Sequence, residues 1–372
     1  MMLSFTPEQV ELGRMMRSFL ETMSPEATVR TLMETVRGFD PAVWTKMGSE
    51  LGLQQLAIPE EYGGAGYTFV ELGVVLEEMG RALLCAPFLS TVVLAANTLL
   101  LSSDDQAKKE LLPALASGEK TGTLAYTEAD GRWDVAGVST TASESSGGGW
   151  TLNGEKVFVL DGHTADLLLV TARTANGVSI FAVDGAAAGL LRVPMQTLDL
   201  TRKQARITFS DVPARLVGAD DEASIVVPAV LDLAAIALAA EAVGGAARCL
   251  DMAVEYAKVR EQFGRPIGSF QAIKHKCADL LLEVESARSA AYYAMWAAAG
   301  NTAELPAAAA MAKAYCTEAY AHAAAENIQI HGGIGFTWEH PAHLYFRRAK
   351  STELLLGDPA YHRELLVQRA GL

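Results

Sequence analysis

Apolar residues in the first third of the chain recur at intervals of three and four, as in VVLEEMGRALL (74–84). That spacing lays one apolar stripe along a helix, so residues 1–120 are predicted to form an α-helical domain, broken at PEEYGGAGY (59–67) and at Pro87. Between 121 and 222 the texture changes to short β-rich runs, among them WTLNGEKVFVL, DLLLVTAR, VSIFAVDG and ARITFSDV, separated by Gly, Asp, Asn and Ser. These predict an antiparallel β-barrel or sandwich, with SESSGGG (143–149) as a hairpin loop. From 223 to 372 long alanine-rich helical patterns return, with loops at FGRPIG and HGGIGFTWEHP. Four helices, a bundle, are expected there, and the fold class is α+β.

Residues 225–247 are apolar over nearly the length needed to span a bilayer, but they carry Pro228, Asp232, Glu241, Gly244 and Gly245. Two carboxylates are costly in lipid, so the segment reads as a buried helix and no membrane span is expected. The first sixteen residues, acidic and amphipathic, do not read as a secretory signal.

Charge narrows the partners. A formal net charge of −14 and a pI near 5.0 argue against nucleic acid, which requires a basic surface. Cys85, Cys249, Cys277 and Cys316 form no CxxC pair, so no disulfide framework or zinc knuckle is predicted, and a reducing cytoplasm fits. The seven histidines show no HExxH spacing, and no metal site is expected. Neither a GxSxG elbow nor a Walker loop is present, which removes the hydrolase and NTPase readings.

Three segments carry candidate chemistry. Glu241 stands in LDLAAIALAAEAVGGAA, where apolar neighbours would desolvate a carboxylate and make it a stronger base once ionised. The same setting suits a structural acid paired with an arginine from another helix. VREQFGRPIGSFQ (259–271) places arginine, glycine and an aromatic after a helix end, as a diphosphate grip would, and equally as a plain interhelical loop. QIHGGIGFTWEHP (329–341) offers a glycine-rich turn between helical patterns, but no preceding strand, so it is not a Rossmann fingerprint.

The α, β, α order together with PEEYGG, REQFGRPIGSFQ and QIHGGIGFTWEHPAHLYFRRAK resembles the acyl-CoA dehydrogenase family over essentially the whole chain. The resemblance implies FAD as cofactor, an acyl-CoA thioester as substrate, α,β-dehydrogenation to the 2-enoyl-CoA, and electron-transfer flavoprotein or a similar acceptor. It also implies a tetramer in which Arg260, Gln262, Phe263, Gln329, Gly332 and Gly333 serve the flavin of a neighbouring subunit, with Thr127 on the middle-domain side.

The departures are specific. TEADGRWD (127–134) stands for the usual TEPxxGSD, so Thr127 and Asp134 persist while Arg132 and Trp133 replace small residues. KVFVLD (156–161) puts Phe158 and Leu160 where the family has a tryptophan and a hydroxyl residue. TELLLGDPA (352–360) puts Leu356 at the usual catalytic glutamate, and Ala234 occupies the alternative position on the long helix. Glu241, seven residues on, lies about 20° round that helix and roughly 10 Å further along, and is the surviving candidate base. AAEAVGG and SARSAAYY resemble actinobacterial members that degrade sterol or bile-acid side chains, some of them heterotetramers of two related chains. The expected function is therefore a subunit of an acyl-CoA dehydrogenase for a bulky, steroid-type thioester. The alternative is a noncatalytic partner that completes a sister chain's FAD site.

Overall fold

The computed structural model describes residues 5–145 and 148–371. Helices α1 (Pro7–Met23), α2 (Glu26–Glu34), α3 (Pro41–Ser49), α4 (Phe69–Arg81), α5 (Ala96–Leu101) and α6 (Asp105–Ala116) come first. Seven strands follow: β1 (Gly122–Ala125), β2 (Thr141–Glu144), β3 (Trp150–Leu160), β4 (Leu167–Arg173), β5 (Val178–Asp184), β6 (Leu190–Pro194) and β7 (Gln204–Val217). The chain then returns to helices α7 (Ala223–Val259), α8 (Gln271–Ala299), α9 (Leu305–His331), α10 (Ala342–Leu354) and α11 (Pro359–Ala370). Five helices, not four, follow the strands among the described residues, because Leu356 and Gly357 turn left-handed between α10 and α11.

Contacts divide the chain into two compact units, each assembled from separate stretches. The first gathers residues 5–30, 69–84 and 235–371 and is helical. Its α1 starts where the sequence can cap it: Thr6 and Gln9 form a capping box and Pro7 occupies the first turn. Helices α4 and α7 cross with their backbones in contact. A Cβ on Gly80 would stand 2.1 Å from the Glu241 carbonyl oxygen, and one on Gly244 would stand 1.8 Å from that of Glu77. Only glycine permits that approach, which explains Gly244 inside an alanine-rich helix; its neighbour Gly245 makes room for the Tyr320 ring, which a Cβ there would meet at 2.3 Å. Glu77, buried in α4, is bound by the Arg288 guanidinium and by the Tyr292 hydroxyl at 2.9 Å, both on α8.

The second unit comprises residues 31–68 and 85–234 and holds the sheet. β4 pairs antiparallel with β5, β5 with β7, β7 with β3 and β6, and β3 with β2. A single pair, Thr141 with Arg173, joins β2 to β4 and returns the pairing to its start. The sheet is not wholly antiparallel as expected: β1 runs parallel to β4, from Gly122↔Leu167 to Ala125↔Val170. The β2–β3 pair lies in the connection between them and supplies the long crossover that a parallel pair requires. Leu152, Leu168, Val170, Phe181, Ile207, Phe209 and Val212 fill the core. Ser145 and Gly148 close the β2–β3 loop, and the centre of the expected SESSGGG loop lies outside the described residues.

The 37-residue α7 is long and apolar enough to cross a membrane by length and composition, and 67% of its most apolar window is buried within the protein. It is the buried helix that the sequence suggests.

Candidate functional site

The first candidate segment begins where α7 stops. The Arg260 N–H still donates to the Tyr256 carbonyl at 2.8 Å, after which Glu261–Gln262 pairs with Arg265–Pro266 in a minimal hairpin. Phe263 and Gly264 form its two-residue turn with φ of +55° and +75°, the left-handed pair that such turns use. A phenylalanine is an unfavourable residue for that conformation, and its ring is 92% exposed, touching only the edge of Phe270 at 6.1 Å. The Arg260 guanidinium is exposed and makes no ion pair or hydrogen bond among the described residues, and Gln262 bonds only the adjacent Glu261 carbonyl. An unpaired guanidinium, a bare aromatic ring and an open glycine suit a diphosphate with an attached heterocycle.

The second segment lies at the C-terminus of α9. Gln329 is exposed while Asn327, Ile328, Ile330 and His331 are buried, so one turn of helix offers a single amide outward. Gly332 ends the helix at φ +64°. A Cβ at Gly332 or Gly333 would meet nothing within 4 Å, whereas one at Gly335 would stand 2.9 Å from the Ile328 carbonyl. The first two glycines therefore leave backbone open to a ligand, and the third serves packing. Their surroundings fit the flavin cofactor that the sequence implies.

One feature joins these segments and had no signal in the sequence. The His331 ring stacks on Tyr256 at 4.3 Å and lies 4.1 Å from the His340 ring. Arg260 and Gly332 thus follow two residues held face to face. Nearby, Arg347 covers Trp338 at 4.5 Å and His343 meets the same indole edge-on at 4.6 Å.

Thr127 stands in the other unit, buried just past β1, with its carbonyl accepting from Val157 N–H at 2.9 Å. Beside it is a buried ion pair. Glu128 accepts from Lys156 Nζ at 2.7 Å, from Thr140 N–H at 2.9 Å and from Ser139. Lys156 also donates to Thr171 Oγ1 at 3.1 Å. Burial opposes the Glu128 carboxylate, but the ammonium and the hydrogen bonds outweigh it and hold its pKa at about 2. Burial brings Lys156 down to about 8 in spite of its partner. Just beyond, the β3–β7 register shifts between Lys156 and Val159, and Phe158 sits in that bulge at φ +56°, 42% exposed. Arg132 turns outward to Asp134 at 2.9 Å instead of filling a pocket, and Trp133 is the half-buried member of that loop.

Glu241 is half-buried in α7, its carbonyl against Gly80. Ala234 is fully buried, and Leu356 is 4% exposed with φ +63°. Asp358 caps α11 by accepting from Tyr361 N–H at 2.8 Å. An acid bound by an arginine of another helix is present in Glu77, whose pKa burial raises against the pull of Arg288. Its signal was present in VVLEEMGRALL, where Glu77 falls within the apolar stripe.

Arg260–Phe263 and Gln329–Gly333 are thus brought to one end of the helical unit, while Glu241 is separated from Arg260 by about 28 Å of continuous α7. Comparison with known proteins identifies the three parts of the chain. Residues 6–119, 123–212 and 225–371 match the acyl-CoA dehydrogenase N-terminal, middle and C-terminal domains. The chain is 38% identical to acyl-CoA dehydrogenase IpdE2 of Mycolicibacterium smegmatis over 90% of each chain. Its fold is similar to that of a Tcur3481–Tcur3483 steroid ACAD variant (33% identity, 98% of each chain, TM-score 0.87). It is likewise similar to a chain of the ChsE4–ChsE5 complex of Mycobacterium tuberculosis (29% identity, 100% of this chain and 99% of the other, TM-score 0.90). The chain belongs to the acyl-CoA dehydrogenase family.

Proposed function

We propose that the chain is a subunit of a cytoplasmic, tetrameric, FAD-dependent acyl-CoA dehydrogenase that acts on a bulky, steroid-type thioester. The observation that carries the reading is the span of α7. Its candidate base and its exposed cofactor edge are about 28 Å apart on one rigid helix, too far to serve one reacting centre. The edge formed by Arg260, Gln262, Phe263, Gln329, Gly332 and Gly333 therefore serves a flavin whose reacting ring lies in a neighbouring chain. Similarity to the Tcur3481–Tcur3483 steroid ACAD supports a steroid-type acyl group, and similarity to it and to the ChsE4–ChsE5 complex supports a paired-chain oligomer.

In this reading Arg260 neutralises the diphosphate with forked donors, Gly332 and Gly333 admit it to the backbone, and Phe263 covers the adenosine end. Thr127 meets the flavin of its own β unit. Bound FAD supplies the acceptor for the β-hydrogen, which leaves as hydride, and electron-transfer flavoprotein or a similar acceptor removes the electrons. Glu241 takes the α-proton onto a carboxylate oxygen. An α-proton exchange assay on the purified complex tests that role: Glu241→Gln is expected to abolish exchange, and undiminished exchange removes Glu241 from the reaction.

The buried Leu356 and Ala234, at the two positions where the resemblance puts a base, favour a second reading, a noncatalytic partner that completes a sister chain's flavin site. Expression of the chain alone separates the two. A yellow, active homo-oligomer supports the catalytic subunit, and a colourless protein that gains flavin only with a partner supports the completing one.

A further inference from the structure

Among the described residues no hydrogen bond, ion pair or ring contact joins the side chains of the two segments assigned to the cofactor; the ring column of Tyr256, His331 and His340 ties them together. Tyr256 lies one turn before Arg260, and its carbonyl holds the Arg260 N–H at 2.8 Å. His331 is the residue before Gly332, 6% exposed, and its Nδ1 shares a hydrogen with the Asn327 carbonyl at 2.8 Å. That bond fixes the ring against Tyr256 at an interplanar angle of 28°. His340 also lies against the His331 ring, with ring centroids 4.1 Å apart and an interplanar angle of 44°. A shift of His331 would carry Gly332 and Gly333 away from Arg260, since no other residue intervenes in sequence. We propose that His331 is a positioning residue for the cofactor edge, holding the Gln329–Gly333 segment in register with Arg260–Phe263 through its neutral ring.

The inference rests on the reading that these segments grip FAD. Its chemistry demands neutrality. Two imidazoles 4.1 Å apart cannot both become cations cheaply, and a buried imidazolium on Tyr256 would lack solvation. The groups that face the column are Tyr256 from α7, His340 from the loop, His343 and Arg347 from α10, and Glu26 and Arg30 from α2, the last pair acting on His340 and His343. Burial lowers the pKa of both His331 and His340, which keeps the column uncharged at neutral pH.

The test is FAD affinity of the deflavinated, reconstituted complex, read by flavin fluorescence. Wild type is expected to bind about tenfold more weakly at a low pH, where the column takes up protons, than at pH 7.5. His331→Phe keeps a stacking ring and leaves only His340 of the column to titrate, so its affinity at pH 7.5 should lie within about threefold of wild type and its pH profile should be clearly shallower. His331→Ala should bind about tenfold more weakly at both pH values. A pH profile of His331→Phe that follows wild type overturns the proposal, and so does a folded His331→Ala complex with wild-type affinity. Arg260→Ala is the control for the underlying reading. If it binds FAD like wild type, the segment assignment falls and this inference with it. If it weakens binding while the His331 variants do not, only the inference falls.

Discussion

Lys313 Nζ donates to the Gly357 carbonyl oxygen at 3.0 Å, and the same ammonium reaches the Glu353 carbonyl at 3.2 Å. A fully buried cation on α9 thus holds both ends of the turn that presents Leu356. Lys313→Met keeps the length and removes the donors, leaving two buried carbonyls short of a partner. A loss of about 2 kcal/mol in unfolding free energy is expected, measured as a lower urea midpoint at unchanged slope.

His362 secures the middle of that turn. Its Nε2 donates to the Leu356 carbonyl at 3.0 Å, while the buried Nδ1 has no hydrogen-bond partner among the described residues. Protonation would place a bare N–H inside the fold, and burial together with Lys313 lowers the His362 pKa to about 4. The unfolded residue titrates near 6.5, so its stabilising contribution is complete above that pH and declines as pH falls from about 6.5 to about 4. On the order of 3 kcal/mol should be lost across this window. His362→Gln, which retains a donor but does not titrate, should show a shallower decline in denaturation midpoints recorded through the same range.

Glu128 and Lys156 should behave as a unit. Removing either charge alone, as in Glu128→Gln or Lys156→Met, strands the other in the β core, and each change should cost about 3–5 kcal/mol. The double variant should cost clearly less than the sum of the two, giving a coupling of more than about 1 kcal/mol in a thermodynamic cycle. Strict additivity in guanidinium unfolding would show that the pair does not stabilise the sheet jointly.

Glycine substitutions should separate packing from ligand approach. Gly244→Ala forces a methyl against the Glu77 carbonyl and should destabilise the helical unit by more than about 2 kcal/mol. Gly333→Ala meets open space, so its melting point should change by no more than a surface substitution allows, about 0.5 kcal/mol in stability. Its FAD affinity should nevertheless fall by about tenfold. Calorimetry and flavin titration on the two variants give opposite patterns if the assignment of these glycines is correct.

The order of helices, strands and helices was legible because it follows from periodicity, and the long run from Ile225 to Ala247 read correctly as a buried helix because its carboxylates exclude lipid. Arg260, Phe263 and Gln329 are exposed, as residues at and beyond helix ends tend to be. Three features were not legible. The parallel β1–β4 pair depends on which strand lies beside which, and alternation is the same for either direction. The column through His331 joins residues 75 positions apart, and a lone histidine on an apolar face carries no sign of its partner. Glu77 falls in an apolar stripe that the sequence shows, but only packing shows that Arg288 binds it. Composition measures surroundings along the chain, and burial is decided across it.

The division of the helical unit among three separated stretches bears on how the chain is made. Residues 31–68 and 85–234, which carry the sheet, are complete on the ribosome before α8 to α11 have been translated. Helices α1 and α4 emerge earlier still, but the surfaces they bury, the glycine crossing with α7 and the Glu77 contact with Arg288, belong to segments made later. During synthesis the apolar stripe of α4 is therefore without its final cover for the time needed to make roughly 200 residues, on the order of 10–40 s at common elongation rates. Over that interval the apolar stripe of α4 is the surface of the nascent chain most in need of cover.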